Sequence, residues 1–259
     1  STEVDIEVLP GLRLTNDKEI INSIVKDEFL ECIGILEFNQ LKKSHSLLYY
    51  KFEEDDLKFF EVDNNMFLLQ LQLKWIDDFL KNSWLLFDNC IVIDTAYIMT
   101  MDGDKLTAAD SLRHTHIHST CENELVDLIL NKDDLKKLIE YHNTIESYLY
   151  EKSSSSNSFM MEKNYSRIGR SLIFVKQARE AKNIAYKIAN YCSAFETIFS
   201  TDNSELTYKL SERVAFFLKD DLTISETFKS MKSAYAIRSK LTHGDVLSNK
   251  QIENIFDIS

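Results

Sequence analysis

Glycine and proline are scarce in this 259-residue chain, with five of the first and one of the second. These residues punctuate tight turns, so their scarcity argues against an all-β fold of short hairpins and favours long helices. Five glycines also leave little room for a phosphate-cradling loop, and no glycine-rich nucleotide motif or nucleophile elbow occurs. Long apolar runs are missing as well. The richest stretch, Phe67 to Met99, is interrupted by Lys74, Asp77, Asp78, Lys81, Asp88 and Asp94, so no membrane span is expected. The start lacks a basic region followed by an apolar core, so no signal peptide is expected, and a first residue other than Met suggests a processed N-terminus. Cysteines are few and scattered. Cys32, Cys90, Cys121 and Cys192 show no paired spacing and read as reduced, mostly buried thiols of a cytoplasmic protein.

Hydrophobic residues make up 44% and charged residues 28%, the balance of a globular protein. The net charge of −12 is unevenly spread. Ser1 to Ser158 carries 15 Lys/Arg against 30 Asp/Glu, and Phe159 to Ser259 carries 15 against 12. Bulk electrostatics therefore argue against the first part as a nucleic-acid surface and leave the second open to that role.

The clearest break is Glu151 to Ser158, a serine run without an apolar residue, which reads as a linker. It divides an α+β domain, residues 1–150, from a helical domain, residues 159–259. In the first domain, Ile20 to Val25 reads as a short helix or strand. Leu47 to Phe52 and Leu57 to Val62 read as a strand pair around Glu53-Glu54-Asp55-Asp56. Phe67 to Leu80 has helical spacing, with Phe67, Leu71, Trp75 and Phe79 at steps of four. Cys90 to Met99 and Arg113 to Ser119 read as strands. Leu125 to Tyr150 reads as a helix that buries Leu128, Leu135, Leu138, Ile139, Ile145 and Leu149.

After the linker the pattern is helical throughout. Tyr165 to Phe199 reads as one long amphipathic helix with Ile168, Leu172, Val175, Ile184, Ile188, Tyr191, Phe195 and Ile198 on its stripe. A turn at residues 201–204 leads through Ser204, a candidate N-cap, into a helix from Leu206 to Leu218. Thr223 or Ser225 caps a third helix running to about His243, stopped by Gly244. Ser248 is read as the cap of a fourth, Gln251 to Ile258. Four antiparallel helices with short connections make a bundle.

Arg238 and His243 lie in Tyr-Ala-Ile-Arg-Ser-Lys-Leu-Thr-His-Gly, Tyr235 to Gly244. Arginine matches phosphate in a forked geometry, and histidine moves protons near neutral pH, so the pair suits phosphodiester chemistry without a metal. Five residues of helix separate them by about 7.5 Å of rise and roughly 140° of rotation. They converge only on a frayed last turn or across two copies of the helix. On spacing alone, a surface arginine with a capping histidine ranks first. A second feature is Lys163, Arg167, Arg170, Lys176, Arg179, Lys182 and Lys187, which fall in 25 residues with the single acid Glu180. They read as a backbone-tracking RNA face or as a solvated helix face. A third is the alternation His114, His116, His118, followed by Cys121 and Glu122. Without a metal-site partner elsewhere we read a polar strand face rather than a zinc site. No metal and no cofactor is expected.

Three segments, taken together, resemble the HEPN superfamily, particularly its Apea-like branch. They are Ala194 to Phe199 (AFETIF), Leu210 to Ala215 (LSERVA) and Ala234 to Gly244 (AYAIRSKLTHG). The segment Ser83 to Asn89 is also similar to N-terminal regions of Apea-like proteins. The likeness covers about the last hundred residues. It implies a four-helix bundle that forms homodimers, and a metal-independent endoribonuclease that leaves a cyclic phosphate. His243 would be its acid/base and Arg238 would stabilise the phosphorane charge. Ser239 stands where many active members have Asn, Asp or His. Glu196 and Arg213 match polar positions of the branch and would orient the site, or form an ion pair within the bundle. The resemblance further implies RNA as partner, a role in prokaryotic phage defence or a toxin system, and regulation through a ligand or protein at the N-terminal domain. The other reading is a non-catalytic module for dimerisation or for binding a nucleotide or partner.

Overall fold

A computed structural model describes residues 3–52, 65–102, 105–113, 117–150, 166–200, 206–249 and 251, without the side chains of 146–150. The strand expected at Leu57 to Val62, the 151–158 linker, Ser204 and most of the helix expected at Gln251 to Ile258 lie outside the described residues. In chain order the elements are β1 (Asp5–Leu9), β2 (Leu12–Thr15), α1 (Lys18–Ile24), α2 (Phe29–Ile33), α3 (Ile35–Lys43), β3 (Leu47–Tyr50), α4 (Asn65–Ser83), β4 (Thr95–Asp102), β5 (Lys105–Arg113), α5 (Lys132–Tyr150), α6 (Arg167–Glu180), α7 (Ile184–Phe199), α8 (Leu206–Phe217) and α9 (Ile224–His243). The fold is α+β. Among the described residues no helix is long and apolar enough to cross a membrane.

The chain forms two compact units. The described residues up to Ser83, from Val92 to Arg113 and from Ile129 to His142 make the first; Trp84–Ile91, 117–128 and those from Asn143 onward make the second. Residues 84–91 and 117–128, which the sequence reading put in the first domain, thus belong with the C-terminal helices.

In the first unit β1, β2 and β3 form an antiparallel sheet in that order, and β4 and β5 form a hairpin. Pro10 and Gly11 make the β1–β2 turn. Gly11 has φ +76, and a Cβ there would collide with the Tyr50 ring, so this glycine is required twice over. Val8 and Leu12 pack with Ile76, Phe79 and Leu138. Ile21, Val25, Phe29 and Phe38 form a second core. Helix α4 buries Leu68, Leu69, Leu73, Ile76 and Phe79, whereas Phe67 is 56% and Trp75 40% exposed. The expected steps of four identified the helix but set its buried stripe partly off the true one. Helix α5 starts at Lys132, not near Leu125, because Asn131 Oδ1 accepts from the amides of Asp133 (2.8 Å) and Asp134 (3.0 Å) and Asp134 returns a carboxylate to the Asn131 amide at 3.1 Å.

In the second unit α7 packs against α6, α8 and α9, and α9 also packs on α8. Their shared core is Ala185, Ile188, Cys192, Leu210, Val214, Met231, Ala234, Tyr235 and Ile237. The single helix expected from Tyr165 to Phe199 is two. Ser166 caps α6 by accepting from the Gly169 amide at 3.0 Å. Asn183, extended at φ −97 and ψ 125, caps α7 by accepting from the Ala185 amide at 2.9 Å. No glycine or proline marks this break, and the Asn183 cap replaces them. Helix α9 matches its expected bounds. Gly244 adopts the left-handed conformation (φ 73, ψ 17), its amide reaches the Leu241 carbonyl at 3.2 Å, and the Asp245 amide reaches Lys240 at 2.9 Å.

Candidate functional site

The last turns of α7 and α9 bring two of the resemblance segments together. Arg238 Nη2 lies 3.1 Å from Glu196 Oε2, with side chains 27% and 26% exposed. Arg238 Nη1 also donates to Tyr235 Oη at 3.4 Å, and the guanidinium sits 5.3 Å from the centroid of that ring. The arginine is thus held by a carboxylate from α7 and a phenol from its own helix while part of its surface remains open. Burial pushes the Tyr235 hydroxyl above its ordinary value, and the Glu196 charge pushes the same way. Beneath the pair, buried Cys192 has its thiol pushed up to about 12 by burial.

His243 is exposed at the end of α9, and Ser239 is half-buried. Thr242 Oγ1 donates to the Arg238 carbonyl at 2.8 Å, which ties the turn between Arg238 and His243 to the helix. Arg213 does not pair with Glu196. Its Nη1 donates to the Phe199 carbonyl at 2.5 Å and so closes the C-terminal end of α7. The ion pair of this corner is Glu196–Arg238.

The basic face is not one surface. Lys163 lies outside the described residues. Arg167 donates to the Ile198 carbonyl at 3.2 Å and to the Ser200 carbonyl, and so fastens the start of α6 to the end of α7. Lys176 pairs with Glu180 at 3.7 Å, Arg170 is half-buried and Lys182 is exposed. Arg179 and Lys187 are 1% and 0% exposed. Neither can track an RNA backbone, because both side chains are buried.

They enter a buried polar cluster that the charge pattern did not reveal. Arg179 pairs with Asp88, donates to the Asn89 carbonyl, and reaches Cys121 Sγ at 3.3 Å. Its guanidinium lies 5.2 Å over the Trp84 ring. Asp88 and Tyr191 hold this guanidinium's proton more firmly than usual, against the larger single effect of burial. Lys187 Nζ donates to Ser119 Oγ at 2.9 Å and to the Thr120 carbonyl at 3.0 Å. Burial, with Arg179 nearby, pulls Lys187 down to about 8. The usable signal was the polar Asp88-Asn89 ending an apolar segment, which is where complementary charge for α6 is found.

His118 is buried and meets the Trp84 ring edge-on at 4.7 Å. It lies past the end of β5, so the expected polar strand face is absent there, and His114 and His116 lie outside the described residues. Among the described residues no group of three or more His, Cys, Asp or Glu is placed to hold a metal. Comparison of the chain with protein-family models, with curated proteins and with solved structures gave no match.

Proposed function

We propose that the chain is a cytoplasmic, metal-independent endoribonuclease that works as a homodimer through an HEPN-like bundle built on α6 to α9. The observation that carries this reading is the Glu196–Arg238 pair, a partly exposed guanidinium fixed at the end of the helix whose last residue is exposed His243. In-line attack of a ribose 2′-hydroxyl on the adjacent phosphate needs a base for the hydroxyl, an acid for the leaving 5′-oxygen, and compensation for the charge that builds on phosphorus. His243 serves the proton transfers, and a second copy of the chain supplies a second imidazole. Arg238, oriented by Glu196 and Tyr235, takes the phosphorane charge. The products are a 2′,3′-cyclic phosphate and a 5′-hydroxyl, with no metal in the balance. The first unit senses or regulates, and cleavage of host RNA in phage defence or a toxin system follows from the resemblance.

One observation favours the second reading, a non-catalytic dimerisation or ligand-binding module. Glu196 already neutralises Arg238, which a purely structural pair would also do. Incubation of the purified chain with total RNA and with transfer RNA in EDTA, beside Arg238→Ala and His243→Ala, separates the two. Cleavage by the parent alone with cyclic phosphate ends is expected. No cleavage, or equal cleavage by all three, selects the binding module. Light scattering on the same samples reports the dimer.

A further inference from the structure

The four thiols sit in different surroundings. Cys192 is 2% exposed and its burial has pushed it up to about 12, so it is inert. Cys90 is tied to the peptide group of Val126, donating to its carbonyl at 3.1 Å and accepting from its amide at 3.2 Å. Cys32 is exposed on the short helix α2. Cys121 alone lies in the polar cluster, half-buried, with Arg179 Nη1 and Tyr191 Oη each 3.3 Å from Sγ.

Two features of the cluster point beyond packing. Among the described residues, Arg179, Lys187, Asp88 and Tyr191 are ionisable groups that meet in this cluster. Arg179 and Lys187 are cationic, whereas Asp88 is the one carboxylate among the four, and Lys187 is held by the neutral oxygens of Ser119 and Thr120. Among these four, one positive charge is in excess, and both cations are themselves buried, where an uncompensated charge is costly. The Cys121 amide donates to both Asp88 oxygens, at 3.1 and 3.0 Å, which fixes the sulfur relative to the guanidinium. A half-buried sulfur beside cations and hydrogen-bond donors is the setting of oxidation-sensitive cysteines.

We propose that Cys121 is a modification site, the thiol of this chain that reacts with peroxides. The step is Cys121–SH + ROOH → Cys121–SOH + ROH. The S–O bond forms as the O–O bond breaks. Sulfur gives up two electrons to the peroxide, and the thiol proton ends on the departing alcohol, or on water when R is hydrogen. The oxygen added to sulfur carries acceptor lone pairs into a site with donors from Arg179 and Tyr191, and an anionic oxidised sulfur would balance the excess charge. The inference does not depend on the ribonuclease reading.

The test uses the reduced full chain, dilute hydrogen peroxide, a dimedone trap for sulfenic acid, and mass spectrometry of each cysteine peptide over time. Cys121 is expected to label at least about tenfold faster than Cys32 or Cys90, the reverse of the order that exposure alone gives Cys121 and Cys32. Tyr191→Phe, which removes one oxygen and keeps the ring, slows Cys121 severalfold and leaves Cys32 unchanged. Its far-UV circular dichroism and melting curve establish that it folds. Cys32 labelling first, or Cys121 labelling at the same rate with and without the Tyr191 hydroxyl, would overturn the assignment. The comparison among the parent's own thiols stands even if the variant fails to fold.

Discussion

Arg179 and Arg238 each hold a carboxylate and lie at nearly the same distance over an aromatic ring, 5.2 Å over Trp84 and 5.3 Å over Tyr235. Their exposures differ, at 1% for the Arg179 side chain and 27% for that of Arg238. In the buried case every partner is needed, because a bare cation in a low-dielectric interior costs several kcal/mol. In the half-exposed case water can replace the carboxylate, so the same ion pair contributes little to stability and part of the guanidinium stays open to solvent. The surroundings, and not the residue types, separate a buried anchor from a guanidinium open to solvent.

The largest effect should come from removing all the partners of the buried cluster at once. A fragment of residues 143–259 lacks Asp88, the Asn89 carbonyl, Ser119 and Thr120, which hold Arg179 and Lys187. It should show no cooperative melting and no near-ultraviolet dichroism, and a fragment that melts like the full chain breaks the comparison. Next, Asp88→Ala should cost about 2 kcal/mol in urea unfolding: the guanidinium is buried, but the Asp88 side chain is 44% exposed, so water reaches part of the vacated place. A cost below about 1 kcal/mol would mean that Arg179 is solvated as Arg238 is.

Arg238→Ala and His243→Ala should each lower RNA cleavage about 100-fold or more while changing unfolding by less than about 1 kcal/mol. Equal losses of stability and cleavage would place Arg238 with Arg179 as an anchor.

Lys187 sharpens the comparison through pH. Its folded value of about 8 lies below the ordinary 10.5, so between those values the unfolded chain keeps a proton that the folded chain has released. Stability from this group therefore rises with pH across that window, and below it the folded state carries the whole cost of the buried charge. Relative to Lys187→Met, the parent should gain on the order of 2 kcal/mol between pH 8 and 10.5 in denaturant titrations, and a flat difference removes the buried charge from the account. The smallest effect belongs to Glu196→Gln, which keeps shape and removes charge. It should change stability by less than about 1 kcal/mol and still lower cleavage, through looser positioning of Arg238.

Legibility followed the local character of each signal. Helix α9 and its stop could be read because Gly244 is a backbone requirement visible in one residue. The α4 and α5 helices were legible in kind, but the start of α5 depends on the reciprocal Asn131–Asp134 bonds, which compete with apolar spacing further upstream. Hairpin β1–β2 was missed although Pro10-Gly11 marks it, because its strands are short. The burial of Arg179 and Lys187 was not legible, because their partners lie as far as 91 residues away and a run of like charges on a helix ordinarily faces water. Glu196 and Arg238 were each singled out, but which carboxylate met which arginine was settled by the packing of α7 on α9.

The left-handed Gly244 fixes the direction in which the chain leaves His243. A Cβ there would meet nothing within 4 Å, so handedness alone disfavours other L-residues. L-alanine should cost about 1 kcal/mol, whereas its mirror image, D-alanine, fits the same backbone angles and narrows the unfolded ensemble. Chemically installed at this position, D-alanine should stabilise the chain by roughly 0.5 kcal/mol and leave every side chain of the candidate site in place.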